Sequence, residues 1–333
     1  MDNYTPPFTI TNKMLETLSS IMEKVGEYKH YTRLDKEPKL RRNTQITSIH
    51  ASLAIEGNTL SKGQVRDIID GKEVVGPANE IKEVQNIKLA YEQLTKVKPY
   101  SEKDLLKIHG IIEKDLVPLA GKYRTGNEGV FAGDKCIFIC PPPQQVPYLI
   151  SDLFDWMKRK NNNINPIIMS CIFHYEFVFI HPFQDGNGRT ARFWQNAILC
   201  NYRDIFEYVP IENQIKKHQK EYYDAIAKAH VDGESTVFVE FMLDMINTTL
   251  KDLESIAKLV NTEASVNVKR LLDNMDEEPM TANEIMFKLD IKHKDTLRNK
   301  YLNCAIRDGY VQMTIPDKPK SKNQRYYKTH LDI

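Results

Sequence analysis

The chain reads as a mainly α protein with one β-hairpin near its middle and a smaller helix-and-hairpin module at its end. Three observations predict this. Apolar residues recur at helical spacing through most of the 333 residues. One stretch, Lys122 to Pro143, breaks that pattern with glycines, alternating side chains and a proline run. From about residue 264 onward, short helical patterns give way to two strand-like runs around a Pro/Lys/Ser loop.

Taken in order, residues 1–40 read as one helix, about Asn12 to Tyr31, and a polar connection containing Glu37-Pro38. Residues 41–250 read as one helical core. Its first helix, about 42–56, has Ile46, Ile49 and Leu53 at helical spacing and Gly57 as a C′ cap. Glu56 on its last turn faces the negative helix end, a cost of about 0.3–1 kcal/mol that a nearby cation would offset. Amphipathic patterns follow at Ala78–Lys96, Glu102–Asp115, Gln145–Arg159, Pro166–Ile180, Asn187–Tyr202 and Ile215–His230. The hairpin falls at about 126–141. Ile167 to Ile180 is almost wholly apolar, as a buried helix requires; Pro182 ends it and puts His181 at a turn.

Residues 251–333 read as a linker helix and a second domain. A helix lies near Ser265–Met275, a second is capped by Thr281, and a third runs from about Asp295 to Asp308 before Gly309. Val311–Ile315 and Gln324–Lys328 make a hairpin. Three helices and a wing describe a winged helix-turn-helix. Its basic side chains, Arg298, Lys300, Lys318, Lys320, Lys322 and Arg325, suit phosphate contact, and a DNA or a protein partner both remain open.

Composition excludes several classes. Net charge is only +1, with 41% hydrophobic and 27% charged residues, so the whole molecule is not a polyanion binder. The charge is uneven: Ile291 to His330 holds ten Lys or Arg against three Asp, an excess of seven that leaves −6 on the remainder. No apolar run reaches a membrane span and no signal-peptide pattern opens the chain. Five cysteines make no secreted disulfide framework, so the expected setting is reduced and cytoplasmic.

The most informative segment is His181-Pro-Phe-Gln-Asp-Gly-Asn-Gly-Arg-Thr-Ala-Arg192. A helix starts near Asn187, and its N-terminus offers unpaired N–H groups to an anion. Gly186 and Gly188 allow close backbone approach and positive φ. Arg189 and Arg192, three apart, share a face suited to phosphate. Asp185 is a hard oxygen ligand for Mg²⁺ held mainly by substrate phosphates. His181 can accept a proton. Together they suit a metal-complexed polyphosphate with a base beside it. Singly, each reads as an ordinary turn, solvated face or structural histidine.

This segment resembles the Fic family signature at every position, and the chain is similar to Fic proteins over most of its length. The resemblance implies a protein adenylyltransferase that moves AMP from ATP to a Ser, Thr or Tyr hydroxyl, with Mg²⁺ as cofactor. The implied catalytic residues are His181 as base, Asp185 on the metal, and Asn187, Arg189 and Arg192 on phosphates. Gly186, Asn187 and Gly188 would cradle phosphate oxygens, and Phe183 would anchor the loop. Gly188, rather than Lys, favours the AMP-transferring branch. The hairpin resembles the family's flap, which holds the target as an added strand; Val130, Phe131, Ala132 and Gly133 would lie near the nucleotide. Glu221-Tyr222-Tyr223 resembles an adenosine-contacting element, although paired tyrosines on a helix read equally as core. His230 stands where some relatives carry Asn.

Ser52-Leu-Ala-Ile-Glu56-Gly57 matches the family's inhibitory pattern. The resemblance implies that Glu56, beside the nucleotide, pairs with Arg192 and that Ser52 steadies it. It also implies self-modification and homodimers. Two other readings stand beside this one: a Fic enzyme using another nucleotide or removing AMP, and a winged-helix DNA regulator with a nucleotide-sensing core. His174 and Glu176 read as buried structural groups.

Overall fold

The computed structural model describes residues 4–28, 38–132, 135–159, 163–260, 263–276, 278–307, 309–319 and 321–329. The chain divides into two compact units, Met1–Asp252 and Leu253–Ile333.

The first unit is helical. Helix α1 (Asn12–Tyr28) is followed by α2 (Pro38–Ile55), α3 (Lys62–Ile69), α4 (Ala78–Tyr91) and α5 (Glu102–Ile112). Strands β1 (Gly129–Ala132) and β2 (Lys135–Ile139) come next, then α6 (Val146–Lys158), α7 (Pro166–Ile180), α8 (Asn187–Tyr202), α9 (Ile211–Lys217), α10 (Gln219–Asp232) and α11 (Thr236–Val260).

Three boundaries depart from the sequence expectation. Helix α2 begins at Pro38, inside the expected polar connection, because proline is well suited to a first helical position where no N–H is needed. Helix α3 was not anticipated; Ser61 and Gln64 cap it reciprocally, a signal present in the sequence. The single pattern at Ile215–His230 is two helices broken at His218. The last residues of the expected first helix, 29–31, lie outside the described residues.

The core is built around α7 and α8, which pack against each other more extensively than any other pair. Helix α7 is apolar all round, so it is surrounded by protein, as expected for a central helix. Phe154, Trp156, Phe173, Phe177, Phe193 and Trp194 are fully buried there. Trp194 Nε1 donates to Pro99 O at 3.0 Å, satisfying its only polar atom. The N-terminal segment lies along α11: Ser235 N donates to Pro7 O at 2.9 Å and Thr11 Oγ1 to Glu240 at 2.7 Å. Among the described residues, Cys171, Cys200 and Cys304 are free thiols. Among the described residues, no helix is long and apolar enough to cross a membrane.

The second unit contains α12 (Glu263–Asn274), β3 (Met280–Thr281), α13 (Ala282–Leu289), α14 (Lys294–Leu297), a π turn (Arg298–Leu302), α15 (Asn303–Arg307), β4 (Val311–Met313) and β5 (Arg325–Lys328). The strands form one antiparallel sheet in the order β3-β5-β4. Thr281 caps α13 reciprocally with Glu284. The expected third helix is present but opened by the π turn. Arg298 and Lys300 on it, and Lys318 and Lys322 in the β4–β5 loop, are exposed. Arg325 is exposed as well and donates to Pro279 O at 2.9 Å. Lys320 lies outside the described residues.

Truncating Phe173 to Ala should cost about 3–5 kcal/mol of stability, the range for a fully buried aromatic. Urea unfolding measures it; a loss under about 1 kcal/mol would remove α7 from the core.

Candidate active site

The loop between α7 and α8 is closed by its own side chains. Asn187 Oδ1 accepts from Phe183 N at 2.9 Å, and Asn187 Nδ2 donates to Phe183 O at 2.8 Å. Both ends of that amide are therefore used inside the loop. Nδ2 carries a second N–H, so both that side-chain donor and the backbone N–H at position 187 stay available to an anion. Phe183 is buried and stacks on His109 with ring centroids 3.5 Å apart.

His109 was missed by sequence reasoning. Its Nδ1 accepts from Gly121 N at 2.9 Å, so in the neutral ring Nε2–H donates to Asp185 O at 3.0 Å. Burial pushes its pKa down to about 4, keeping that neutral tautomer at physiological pH.

Arg124 was missed too. It is buried and meets only carbonyls. Nε donates to His181 O at 2.7 Å, Nη1 to Gly126 O at 2.8 Å and Nη2 to Pro141 O at 2.5 Å. Its own backbone N donates to Pro182 O at 3.0 Å. One guanidinium thus binds the base of the hairpin to the turn that carries His181.

His181 is the C-cap of α7, with φ 51° and ψ 59°. A non-glycine residue in this region is uncommon, so the surrounding bonds hold it there. Its Nδ1–H points to Val178 O at 3.4 Å; because a carbonyl only accepts, the lone pair is on Nε2. Its pKa is lowered, first by burial and then by Arg124, against the pull of Val178 O, Glu56 and Asp185.

Asp185 is exposed, its side chain 61% accessible. Oδ1 accepts from Gly186 N at 2.5 Å and lies 3.2 Å from Arg189 Nη2. Gly186 has φ 75°, and a Cβ there would collide with Glu113 Oε1. No third His, Cys, Asp or Glu joins Asp185 in a metal-holding group among the described residues. An exposed single carboxylate fits a Mg²⁺ that takes its remaining ligands from phosphates and water.

Arg189 and Arg192 are both buried, and carboxylates surround them. Arg189 Nη1 lies 2.7 Å from Glu83 Oε1. Its Nη2 lies 3.1 Å from Glu113 Oε1, an ion pair without hydrogen-bond geometry, since neither Glu113 oxygen has a hydrogen-bond partner. Burial, partly offset by Arg189, pushes Glu113 up to about 7. Glu83 and Glu113 escaped sequence reasoning. Glu113 could have been found as a charge four residues after His109, beside the apolar stripe of α5.

Arg192 Nη2 donates to Glu56 Oε1 at 2.7 Å and to Ser52 O at 3.0 Å, and Nε donates to Ser52 Oγ at 3.0 Å. Burial alone would lower the guanidinium pKa, but Glu56 outweighs it and the pKa rises. The end of α2 is fixed from behind: Lys216 Nζ donates to Ala54 O at 2.8 Å and Gln219 Nε2 to Ile55 O at 2.9 Å. Among the described residues, Arg189 Nε and Arg192 Nη1 remain buried donors without an acceptor.

The tyrosines separate. Tyr222 is buried and donates to His174 Nε2 at 2.9 Å, while His174 Nδ1–H donates to Gln195 Oε1 at 2.6 Å. Tyr222 is therefore buried, with its hydroxyl turned to His174 and its ring close to Tyr223. Tyr223 is half-exposed beside Ile55 O at 3.4 Å. Glu176 accepts from Tyr4 Oη at 2.7 Å. His230 packs under Phe138 with centroids 4.0 Å apart, and Tyr175 Oη meets its Nδ1 at 3.0 Å. Val130, Phe131 and Ala132 form β1, paired with β2 with an irregularity between Val130 and Phe131. Their side chains, and all of Gly133, lie outside the described residues.

This arrangement sets a histidine beside two buried arginines and two glycines at a helix start, on a helical core with a hairpin. The Fic/DOC family model matches residues 99–199, and the model of the Fic-like C-terminal domain matches residues 266–329. A crystal structure of a Fic family protein from Desulfovibrio desulfuricans G20 is 39% identical over 99% of this chain and 100% of that one, with a TM-score of 0.74. The chain belongs to the Fic family. It is also 31% identical to protein adenylyltransferase fic-1 of Caenorhabditis briggsae, over 70% of this chain but only 45% of that relative's length. A Caenorhabditis elegans Fic-1 structure covers 74% of each chain at 26% identity, with a TM-score of 0.61.

Because His181 is held below its ordinary value near 6.5, a rate that needs its neutral form should be flat above pH 7. It should fall only as pH drops through a midpoint below about 6.5. A pH–rate profile at saturating nucleotide checks this; a midpoint above 7 would mean the ring rests charged.

Proposed function

We propose that this protein is an autoinhibited protein adenylyltransferase. The observation that carries the reading is Arg192, buried at the anion loop, bonded to Glu56 and still holding an unused donor.

In this reading His181 Nε2 takes the proton of a target hydroxyl. The hydroxyl oxygen bonds to the α-phosphorus of ATP as the bond to the bridging oxygen of the β-phosphate breaks, and pyrophosphate leaves. Negative charge grows on the leaving group, where Arg189, Arg192 and the N–H groups opening α8 stabilise it more than the ground state. Asp185 would hold Mg²⁺, which supplies charge neutralisation to the phosphates. The target hydroxyl belongs to a protein segment docked on the hairpin edge, by backbone pairing, and self-modification uses the same route. A homodimer belongs to the same proposal.

Glu56 occupies Arg192 and so competes with phosphate. Its bond is a charged hydrogen bond at a partly exposed carboxylate, worth about 1.5–3 kcal/mol. Glu56→Gly should therefore raise self-labelling by ATP on the order of tenfold or more. His181→Ala in that background should abolish it. Intact-mass analysis with Mg²⁺ and ATP reads one added AMP. A different adduct favours another nucleotide reaction, and no adduct removes the transferase reading.

For the second unit, the exposed Lys294, Arg298, Lys300, Lys318 and Lys322 favour duplex DNA over a protein partner. Binding to a generic duplex should weaken steeply with salt and vanish when residues 264–333 are deleted. Salt-independent binding, or none, leaves a protein partner.

A further inference from the structure

We infer that Glu83 is a positioning residue that fastens Arg189 to the same turn that carries Glu56, so that one turn restrains both phosphate-facing arginines. This rests on the phosphate-site reading proposed above.

The two oxygens of Glu83 are divided. Oε1 accepts from Arg189 Nη1 at 2.7 Å, and Oε2 accepts from Asn58 Nδ2 at 2.8 Å. Asn58 lies two residues after Glu56, across Gly57 at φ 92°. That positive φ reverses the chain, so Glu56 turns to one arginine while Asn58 turns to the carboxylate on the other. Arg189 and Arg192 are three apart on α8, close enough for one short turn to reach both.

The turn is itself seated on α4. Asn58 N donates to Leu53 O at 3.2 Å, and Asn58 Oδ1 accepts from Leu60 N at 3.1 Å. Asn58 Nδ2 also donates to Glu80 O at 3.2 Å, and Thr59 N donates to Glu80 Oε2 at 2.6 Å. Asn58 therefore has little rotational freedom, and its donor is aimed at Glu83. The Glu83 side chain is 23% exposed and Arg189 only 5%, so their charge-assisted bond is shielded from water.

The consequence is a restraint with two fastenings, Glu56 on Arg192 and Asn58 through Glu83 on Arg189. Moving the turn away disturbs both arginines at once. Loosening the second fastening alone should favour the open turn, although Glu56 is untouched.

The test uses the full chain, Mg²⁺ and labelled ATP. Asn58→Asp keeps the side chain's size but sets a carboxylate against Glu83. Self-labelling should rise by about tenfold over wild type, chiefly from losing the charged hydrogen bond to Glu83; the longer bond to Glu80 O at 3.2 Å is lost with it. Adding Glu83→Gln reverses the polarity: the introduced amide donates from its nitrogen to the carboxylate now at position 58, while its oxygen still accepts from Arg189. Labelling should return to within about twofold of wild type. In a Glu56→Gly background, where the turn is already open, Asn58→Asp should add less than about twofold. Asn58→Ala removes the donor without adding charge, and carries the same test should the charged variant melt below the assay temperature. A purely structural role would lower labelling in every background. The inference is overturned by wild-type labelling from Asn58→Asp and Asn58→Ala, by a gain that persists in full without Glu56, or by failure of the rescue. Strong labelling by Glu56→Gly with no response to Asn58 changes would sink the coupling alone; no labelling by Glu56→Gly sinks the transferase reading and the coupling with it.

Discussion

Two guanidinium groups buried one turn apart at the start of α8 set the terms for everything around them. A desolvated cation costs several kcal/mol unless an anion meets it. The fold supplies anions from four places: Glu56 after α2, Glu83 on α4, Glu113 after α5 and Asp185 in the loop itself. Each comes from a different element, so the charge balance of α8 also fixes how those elements meet. In the proposed function, a triphosphate would bring more oxygens than any one carboxylate and would use the donors left over on Arg189 and Arg192 among the described residues. Binding is then an exchange of anions at a site that already requires them. On that proposal, this is what would let a glutamate act as a restraint.

The base is held by bonds of a different kind. His181 sits in a left-handed conformation that an isolated chain avoids, and its own hydrogen bonds are to carbonyl oxygens and a guanidinium rather than to carboxylates. Arg124 grips carbonyls around the turn, Asn187 closes the loop on Phe183, and His109 stacks beneath Phe183 while donating to Asp185 O. The packing that holds the loop also buries His109 and keeps it neutral, so its donor stays aimed at the loop. Rigid placement of a base beside a phosphate site lowers the reorganisation that in-line transfer would otherwise require.

Much of this was legible where function is written in consecutive residues. The segment from His181 to Arg192 carries a helix stop, a turn and a helix start, and each residue type in it has a physical reason. Glu56 was legible because a carboxylate at a helix C-terminus is out of place unless a cation meets it. The residues that escaped are those whose meaning depends on distant partners. Glu83 lies 106 positions from Arg189 in sequence, and Arg124 lies 57 from His181; nothing local marks either one. Tyr222 was ambiguous for the opposite reason. Its helical spacing is right for a surface contact and for a core, and its bond to His174 could not be read from sequence. The helix α3 was missed although its capping box was present, since an eight-residue pattern is too short to stand out from its surroundings.

Gly188 shows how space, as well as charge, links restraint and reaction. A Cβ at this position would collide with Glu56 Oε1 and stand 3.1 Å from Arg192 Nη1. The missing side chain therefore leaves the volume that the glutamate carboxylate fills beside α8. A phosphate oxygen approaching the backbone N–H groups that open this helix needs room of the same kind. In the proposed function, glutamate and nucleotide would therefore compete for volume and for the same guanidinium, and relief of one constraint without the other would leave the site obstructed. A change that merely weakened the ion pair, leaving the carboxylate in place over Gly188, would open less of the site than one that swung the whole turn away.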